Sequence, residues 1–239
     1  MPDPADGPAD LVRLLRDGLA DRADEGRAPQ MAAYMKSSIP YRGVPTPVLR
    51  PLVTGLIRRH PLPDREAWRS TVLELWDHAG HREERYAAIE LTGHRLYRCY
   101  QDPEALHLYR HLVVTGAWWD LVDPLATRRV GPILASHRAE VTPLVRAWAD
   151  EQDLWLRRTA ILAQLHHGAT TDLALLRDVL EANLEGSRNG SAFFVRKAVG
   201  WALRQHARTD PDWVRAFVAD HRGRLSGLST REALKHLSG

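Results

Sequence analysis

The sequence predicts an all-α fold, and three observations lead to this prediction. Apolar residues recur at helical spacing along the chain, and no segment alternates between apolar and polar residues as a strand does. Expected helix starts return roughly every 32 to 40 residues, near Ala67, Ala105, Val141, Leu173 and Trp213. Between them, an Arg-x-Ala pattern repeats at 85–88, 158–161 and 196–199. Paired helices at this period indicate a repeat solenoid of the HEAT or armadillo kind, that is, a HEAT-like stack of antiparallel helix pairs, curved so that one face is concave.

Length and composition favour a single domain over residues 1–239. Of the 239 residues, 44% are hydrophobic, and no charge run or Gly/Ser-rich linker divides the chain. Residues 1–9 are acidic and proline-rich, so we expect them to be disordered and not to form a signal peptide. The apolar runs are too short to span a membrane. We therefore expect a cytosolic protein without a membrane partner. We also expect a monomer.

Few residues are available for metal, cofactor or covalent chemistry. The single cysteine, Cys99, excludes an internal disulfide, a cysteine-ligated zinc site and an iron–sulfur cluster. The histidine pairs at 78/81 and 166/167 have ligand-like spacing but no third ligand nearby, so we expect no metal. The chain also lacks a P-loop, a G-x-G-x-x-G turn and a G-x-S-x-G elbow. No cofactor is predicted.

The basic residues are strongly biased toward arginine. The formal net charge is +3, and lysine occurs only at positions 36, 197 and 235. Arginine favours bidentate contacts with phosphate, which points toward nucleic acid. Codon usage in a GC-rich genome explains the same bias, so both interpretations stay open.

The elements can be placed in chain order from their apolar faces. A first amphipathic helix is expected over 9–23 and a short second helix after Pro29, followed by a loop over 39–47. A later helix that begins at Asp153 is apolar nearly all round and therefore buried. Because a buried arginine needs a partner, one of Arg157 and Arg158 in this helix is expected to meet an acidic group or to reach the concave face, and a structural salt bridge is the alternative for either of them.

Segment 115–130 carries the most distinctive pattern. Drawn as one helix, it gathers a buried stripe of four side chains, Trp118, Leu121, Val122 and Leu125. Trp119 and Asp123, spaced i and i+4, then lie together on its flank, where ring and carboxylate both attract a cationic planar ligand. Pro124 opposes this drawing, because proline inside a helix removes a hydrogen bond. The alternative is a shorter helix that Asp123 caps and Pro124 begins.

Segment 192–208 predicts a helix with a basic face around a tryptophan. Its core side is apolar, while Lys197, Trp201, Arg204 and Arg208 fall on the opposite side. Cations on either side of an aromatic ring suit a nucleic-acid surface, with phosphates on the cations and a base or sugar against the ring. Burial of Trp201 under another repeat is the alternative.

Six blocks in one order resemble the AlkD-type DNA glycosylases, the HEAT-like-repeat alkylpurine glycosylases of base excision repair. The blocks are M-A-A-Y-M-K at 31–36 with the following G-V-P-T-P, E-L-W-D at 74–77, W-W-D-L-V-D at 118–123, L-W-L-R-R-T-A-I-L at 154–162, F-F-V-R-K-A-V-G-W-A-L-R at 193–204, and S-T-R-E-A-L-K-H-L at 229–237. The resemblance runs from about Pro29 to Leu237, nearly the whole chain.

This resemblance implies a C-shaped solenoid that holds duplex DNA in a concave basic face. Such an enzyme hydrolyses the N-glycosidic bond of cationic N3- or N7-alkylated purines without swinging the lesion into a deep pocket. The catalytic carboxylate then falls on Asp123 and the aromatic walls on Trp119 and Trp201. Further DNA contacts fall on Tyr34, Arg158 and Arg204, to which the basic segments add Lys197, Arg157 and Arg208. The expected partner is double-stranded DNA with alkylated purines, in the cytoplasm at the nucleoid.

Two other functions stay open at this point. A HEAT-like scaffold for a protein partner would cover Trp119 and Trp201 with protein and bind duplex DNA weakly. A DNA-binding relative that has lost catalysis is the second alternative, which the retained Asp123 opposes. The sequence does not indicate whether simple methyl groups or bulky adducts are the physiological lesions.

Overall fold

A computed structural model describes residues 7–237, and these residues contain no β-strand. The helices are α1 Pro8–Ala20, α2 Ala28–Met35, α3 Thr46–Arg59, α4 Arg65–Asp77, α5 Arg82–Thr92, α6 Ala105–Gly116, α7 Trp119–Leu125, α8 Gly131–Ser136, α9 Arg138–Trp148, α10 Leu154–Leu162, α11 Leu173–Glu181, α12 Phe193–His206, α13 Pro211–Asp220 and α14 Gly227–Leu234. Short 3-10 helices lie at Arg95–Tyr100 and Gly168–Thr170, and a π-helix lies at Ala126–Val130. The all-α prediction is confirmed.

The predicted alternation of two helix series is also present. The five expected starts agree with α4, α6, α9, α11 and α13, which begin at Arg65, Ala105, Arg138, Leu173 and Pro211. The Arg-x-Ala segments lie in the interleaved helices α5, α10 and α12. Stacking of these pairs into a curved solenoid with a basic concave face stays a prediction.

The chain divides into two compact units, Met1–Gln101 and Asp102–Gly239. In the first unit, α1, α3, α4 and α5 pack around fully buried side chains that include Leu15 and Trp76. The buried carboxylate of Glu83 accepts hydrogen bonds from three successive backbone N–H groups, those of 42–44, at 2.9–3.1 Å. Gly43 within that loop has φ of +84°, which glycine adopts without strain. One domain over residues 1–239 stays a prediction.

The N-terminal boundary differs from the expectation for residues 1–9. Residues 1–6 lie outside the described part of the chain, but Pro8 and Ala9 form the first turn of α1, so disorder is the wrong prediction for these two. Proline is accommodated there because the first helical N–H groups have no partner inside the helix. The helix ends at Ala20, three residues before the predicted end at 23.

The second unit is built around α10, which contacts α6, α7, α9, α11 and α12. Residues 155–162 of α10 are all buried, as the sequence predicted. Asp153 caps this helix by accepting from the N–H groups of Trp155 and Leu156, each at 2.9 Å. A Cβ at Gly131 would lie 2.5 Å from the carbonyl oxygen of Ala163, so the start of α8 approaches the end of α10 as closely as only glycine allows.

Candidate active site

The helix that carries Asp123 begins later than predicted. α6 ends at Gly116, Ala117 takes a left-handed conformation with φ of 42°, and Trp118 is extended. The continuous helix expected from Thr115 is therefore wrong. The alternative is wrong as well, because α7 begins at Trp119 and Pro124 lies inside it.

The backbone changes its winding directly after Asp123. Pro124 has no N–H to donate to the preceding turn, and two residues later the α-helix continues as the π-helix Ala126–Val130. The hydroxyl of Thr127 donates to the carbonyl oxygen of Asp123 at 2.8 Å, so this carbonyl has a side-chain partner where the α-helix changes into the π-helix. Trp119 and Asp123 remain one helical turn apart on α7, so they share a face.

Arg158 of α10 holds the Asp123 carboxylate with two hydrogen bonds. Its Nε donates to Oδ1 at 2.7 Å and its Nη2 donates to Oδ2 at 2.8 Å. The side chains are 5% and 14% exposed, respectively. The remaining Nη1 of Arg158 donates to the carbonyl oxygen of Phe194 at 2.5 Å. The ion pair thus joins α7, α10 and α12 at one point.

Two opposing effects set the protonation of Asp123. Burial raises the pKa of its carboxyl, the hydrogen bonds and positive charge of Arg158 lower it, and the negative charge of Asp120 adds to the rise. The net direction is a pKa above the ordinary aspartate value. Arg158 is therefore the group that stabilises the anionic form of Asp123, which burial disfavours.

An aromatic cluster lies beside this ion pair. The ring of Phe194 lies 5.2 Å from that of Trp118 and 5.0 Å from that of Trp155, measured between centroids. Phe193, the next residue back along the chain, is exposed and stacks edge-on against Phe194. Since the Phe194 carbonyl also accepts from Arg158, the cluster fixes the start of α12 next to the carboxylate.

The two predicted aromatic walls are both half-buried. Trp119 opens α7 next to the extended Trp118, and Trp201 packs against the apolar core of the second unit. Trp201 thus lies neither wholly on an open face nor wholly inside. Its flanking cations are paired, since Glu232 of α14 accepts from Lys197 at 2.8 Å and from Arg204 at 2.5 Å.

The other predicted DNA contacts are placed differently from one another. Arg157 is buried, and its guanidinium donates to the carbonyl oxygens of Glu151, Asp150 and Ala182 and to the side chain of Asn183. This arrangement argues against a phosphate contact by Arg157. Arg208 is exposed in the turn after α12. Tyr34 is exposed on α2 in the first unit.

Sequence reasoning missed Glu232 and the carbonyl of Phe194. Both lie within blocks that carried the family resemblance, so their presence there was the one available signal. Their hydrogen bonds join residues that are 28 to 36 positions apart in the sequence, and helical periodicity does not predict contacts at that separation. The acidic partner expected for one of the two arginines of α10 is Asp123. Across residues 7–237, no helix is both long and apolar enough to cross a membrane.

Comparison with known proteins agrees with this architecture. Residues 15–237 match the family described as DNA alkylation repair enzyme. A solved structure described as a predicted DNA alkylation repair enzyme from Enterococcus faecalis is similar, with a TM-score of 0.79 and 28% sequence identity, over 91% of this chain and 97% of that one. No curated protein matches the chain significantly. Because the family match extends over nearly the whole sequence, the chain belongs to the DNA alkylation repair enzyme family.

Proposed function

We propose that this chain is a monofunctional DNA glycosylase that hydrolyses the N-glycosidic bond of cationic N3- or N7-alkylated purines in duplex DNA. Membership of the family gives a role in DNA repair. The observation that carries the finer proposal is the Asp123 carboxylate, mostly buried, held in one orientation by Arg158, and on the same face of α7 as Trp119.

The chemistry of an alkylated purine suits such a carboxylate. Alkylation at a ring nitrogen makes the base cationic, so it departs with the electron pair of the glycosidic bond and becomes neutral. The sugar left behind develops oxocarbenium-like positive charge, which the Asp123 anion stabilises before water adds at the same carbon and loses one proton to the solvent. This step needs neither a metal nor a cofactor.

Arg158 serves in this proposal to position the carboxylate. A carboxylate offers about four lone-pair directions, and Arg158 occupies one on each oxygen. The remaining directions are available to the attacking water or the sugar. Because the carboxylate does not have to reorient as charge develops, its electrostatic effect is preorganised. Arg158 was expected to contact phosphate, and its burial against Asp123 favours this positioning role instead.

The aromatic and basic residues supply the remaining parts of the proposal. Trp119 and Trp201 face the deoxyribose and its positive charge through their ring faces, without deep flipping of the base. Tyr34, Lys197, Arg204 and Arg208 contact the DNA, the last three through phosphates. The protein acts as a monomer at the nucleoid.

Release of N7-methylguanine from duplex DNA tests the proposal. The duplex is incubated with and without protein, and free base is separated and quantified, so that spontaneous loss is subtracted. We expect release well above the spontaneous rate. Binding of the duplex without release would identify a relative that has lost catalysis. Absence of both binding and release would favour the scaffold for a protein partner.

A further inference from the structure

Glu232 lies where α14 crosses α12 at very short range. A Cβ at Gly200 would lie 2.6 Å from the Cβ of Glu232 and 3.1 Å from the Cα of Ser229, so only glycine permits this crossing. The hydroxyl of Ser229 also donates to the carbonyl oxygen of Arg196 at 2.9 Å. Close packing of α12 against α14 and the Ser229 hydrogen bond therefore stabilise this crossing without the Glu232 carboxylate.

The Glu232 carboxylate binds two cations at once. Oε1 accepts from Lys197 Nζ at 2.8 Å, and Oε2 accepts from Arg204 Nη1 at 2.5 Å. Lys197 and Arg204 lie one turn before and one turn after Trp201 on α12, so the three share one face. The carboxylate thus lies between the two cations that flank the proposed aromatic wall.

The exposures of these groups distinguish this arrangement from a core ion pair. Lys197 is 41% exposed and Arg204 is 26% exposed, whereas Glu232 is only 15% exposed. Hydrogen bonding from Lys197, together with the positive charges of Arg204 and Lys235, lowers the pKa of Glu232, so its carboxylate is anionic at neutral pH. The anion is covered, while both cations still reach solvent.

We propose that Glu232 stands in for a DNA phosphate in the free protein, holding Lys197 and Arg204 beside Trp201 and competing with the DNA backbone for both cations. The inference rests on the proposed binding of duplex DNA. A phosphate that approaches these cations meets the negative charge of Glu232 at the same place, which opposes binding. Glu232 thereby weakens attachment to undamaged duplex while it keeps the two cations oriented.

Two substitutions separate this competition from a change in net charge. Glu232→Gln removes the charge and keeps the shape. Glu232→Asp keeps the charge but shortens the side chain, so that one carboxylate no longer reaches both cations. The matched control is Asp178→Asn, which removes the carboxylate that accepts from Arg146 at 2.8 Å between α11 and α9. It raises the net charge by the same amount as Glu232→Gln.

The measurement is affinity for an unmodified duplex over a series of salt concentrations. We expect Glu232→Gln to bind about two- to fivefold more tightly at low salt, the size of one ion pair near the protein surface. The log–log salt slope should become steeper by about 0.9 for each phosphate gained. Glu232→Asp should shift in the same direction although its net charge is unchanged, and Asp178→Asn should bind with the parent's affinity and salt slope.

Circular dichroism checks folding of each variant, and if Glu232→Gln does not fold, Glu232→Asp carries the test. Parental or weaker binding by the Glu232 variants, or an equal gain in Asp178→Asn, would overturn the competition. So would failure of parent and variants alike to bind DNA. Binding by the parent without release of N7-methylguanine would instead refute the glycosylase, and the affinities would still decide the role of Glu232.

Discussion

Replacement of Asp123 by asparagine removes the charge on which the proposed chemistry depends. Asparagine keeps the shape of the side chain and can still accept from Arg158 through one oxygen, but it cannot stabilise a developing sugar cation. Loss of one preorganised electrostatic stabiliser typically reduces the rate by about 10²–10³, which corresponds to roughly 2.7–4 kcal/mol in activation free energy. Affinity for duplex DNA should stay near that of the parent.

The structure adds a stability cost to this substitution. Arg158 is only 5% exposed, and both of its bonds to Asp123 are bonds between charged groups. In Asp123→Asn one of these donors faces an amide NH₂, which costs about 1–3 kcal/mol for a buried unsatisfied group. In a protein of this size, Tm then falls by about 2–4 °C for each kcal/mol. Base release must therefore be measured well below the Tm of the variant.

Single-turnover release of N7-methylguanine, with protein in excess over duplex, is the assay. Asp120→Asn is the matched control, since it makes the same chemical change one turn earlier on α7. We expect the control to release base nearly as fast as the parent. If Asp123→Asn keeps the parent's rate while Asp120→Asn loses it, the catalytic role belongs to Asp120 and the present account of the carboxylate is wrong.

Four further outcomes are expected. Base release should fall as pH drops through the raised pKa of Asp123, because the carboxylate anion is lost. In Asp120→Asn this fall should move to lower pH, because a neighbouring negative charge that raises the pKa of Asp123 is gone. A pH profile of Asp120→Asn identical to that of the parent would contradict this expectation. Trp201→Ala should strongly reduce base release. It should lower the free energy of unfolding by less than the ~3–5 kcal/mol that truncation of a fully buried tryptophan costs, because the ring is half-buried. Denaturant unfolding measures this loss, and a loss within the full range would show that Trp201 acts as a core residue. Gly200→Ala should lower the free energy of unfolding by about 1–3 kcal/mol, because its Cβ would lie 2.6 Å from the Cβ of Glu232. The control Gly223→Ala should leave it unchanged, because no neighbouring atom lies within 4 Å of the added Cβ. Equal Tm values for the two variants would show that α14 can move to accommodate the methyl group. Borohydride treatment during turnover should trap no covalent protein–DNA adduct, because the amine of Lys197 donates to Glu232 in the free protein and contacts a phosphate in the proposed complex, so it does not attack the sugar. An adduct that disappears in Lys197→Ala would establish lyase chemistry.

Helical periodicity predicted the elements of this fold more accurately than their ends. The buried character of α10 and the core side of α12 followed from apolar spacing, because each face is set by residues within a few turns. The start of α7 did not, since it depends on a left-handed alanine at 117 that no local rule indicates. Pro124 suggested a helix start, yet α7 continues through it into the π-helix Ala126–Val130.

The candidate site was predictable in its residue types but not in its pairings. Asp123 and Arg158 were both identified, and an acidic partner for an arginine of α10 was expected, but the pair lies 35 positions apart and no periodicity joins them. The cations around Trp201 were assigned to phosphate because the partner Glu232 lies on another helix. Burial depth, which separates Arg157 from Arg208, likewise depends on packing between helices.

If the Asp123 anion acts on bases that leave as neutral molecules, the protein should remove only purines whose ring carries a positive charge. Two duplexes of the same sequence test it most directly, one with N7-methylguanine and the other with the uncharged lesion 8-oxoguanine at the same position, with released base quantified from each under identical conditions. We expect protein-dependent release of N7-methylguanine and none of 8-oxoguanine. Equal release of both bases, or release of neither by protein that binds both duplexes, would contradict it.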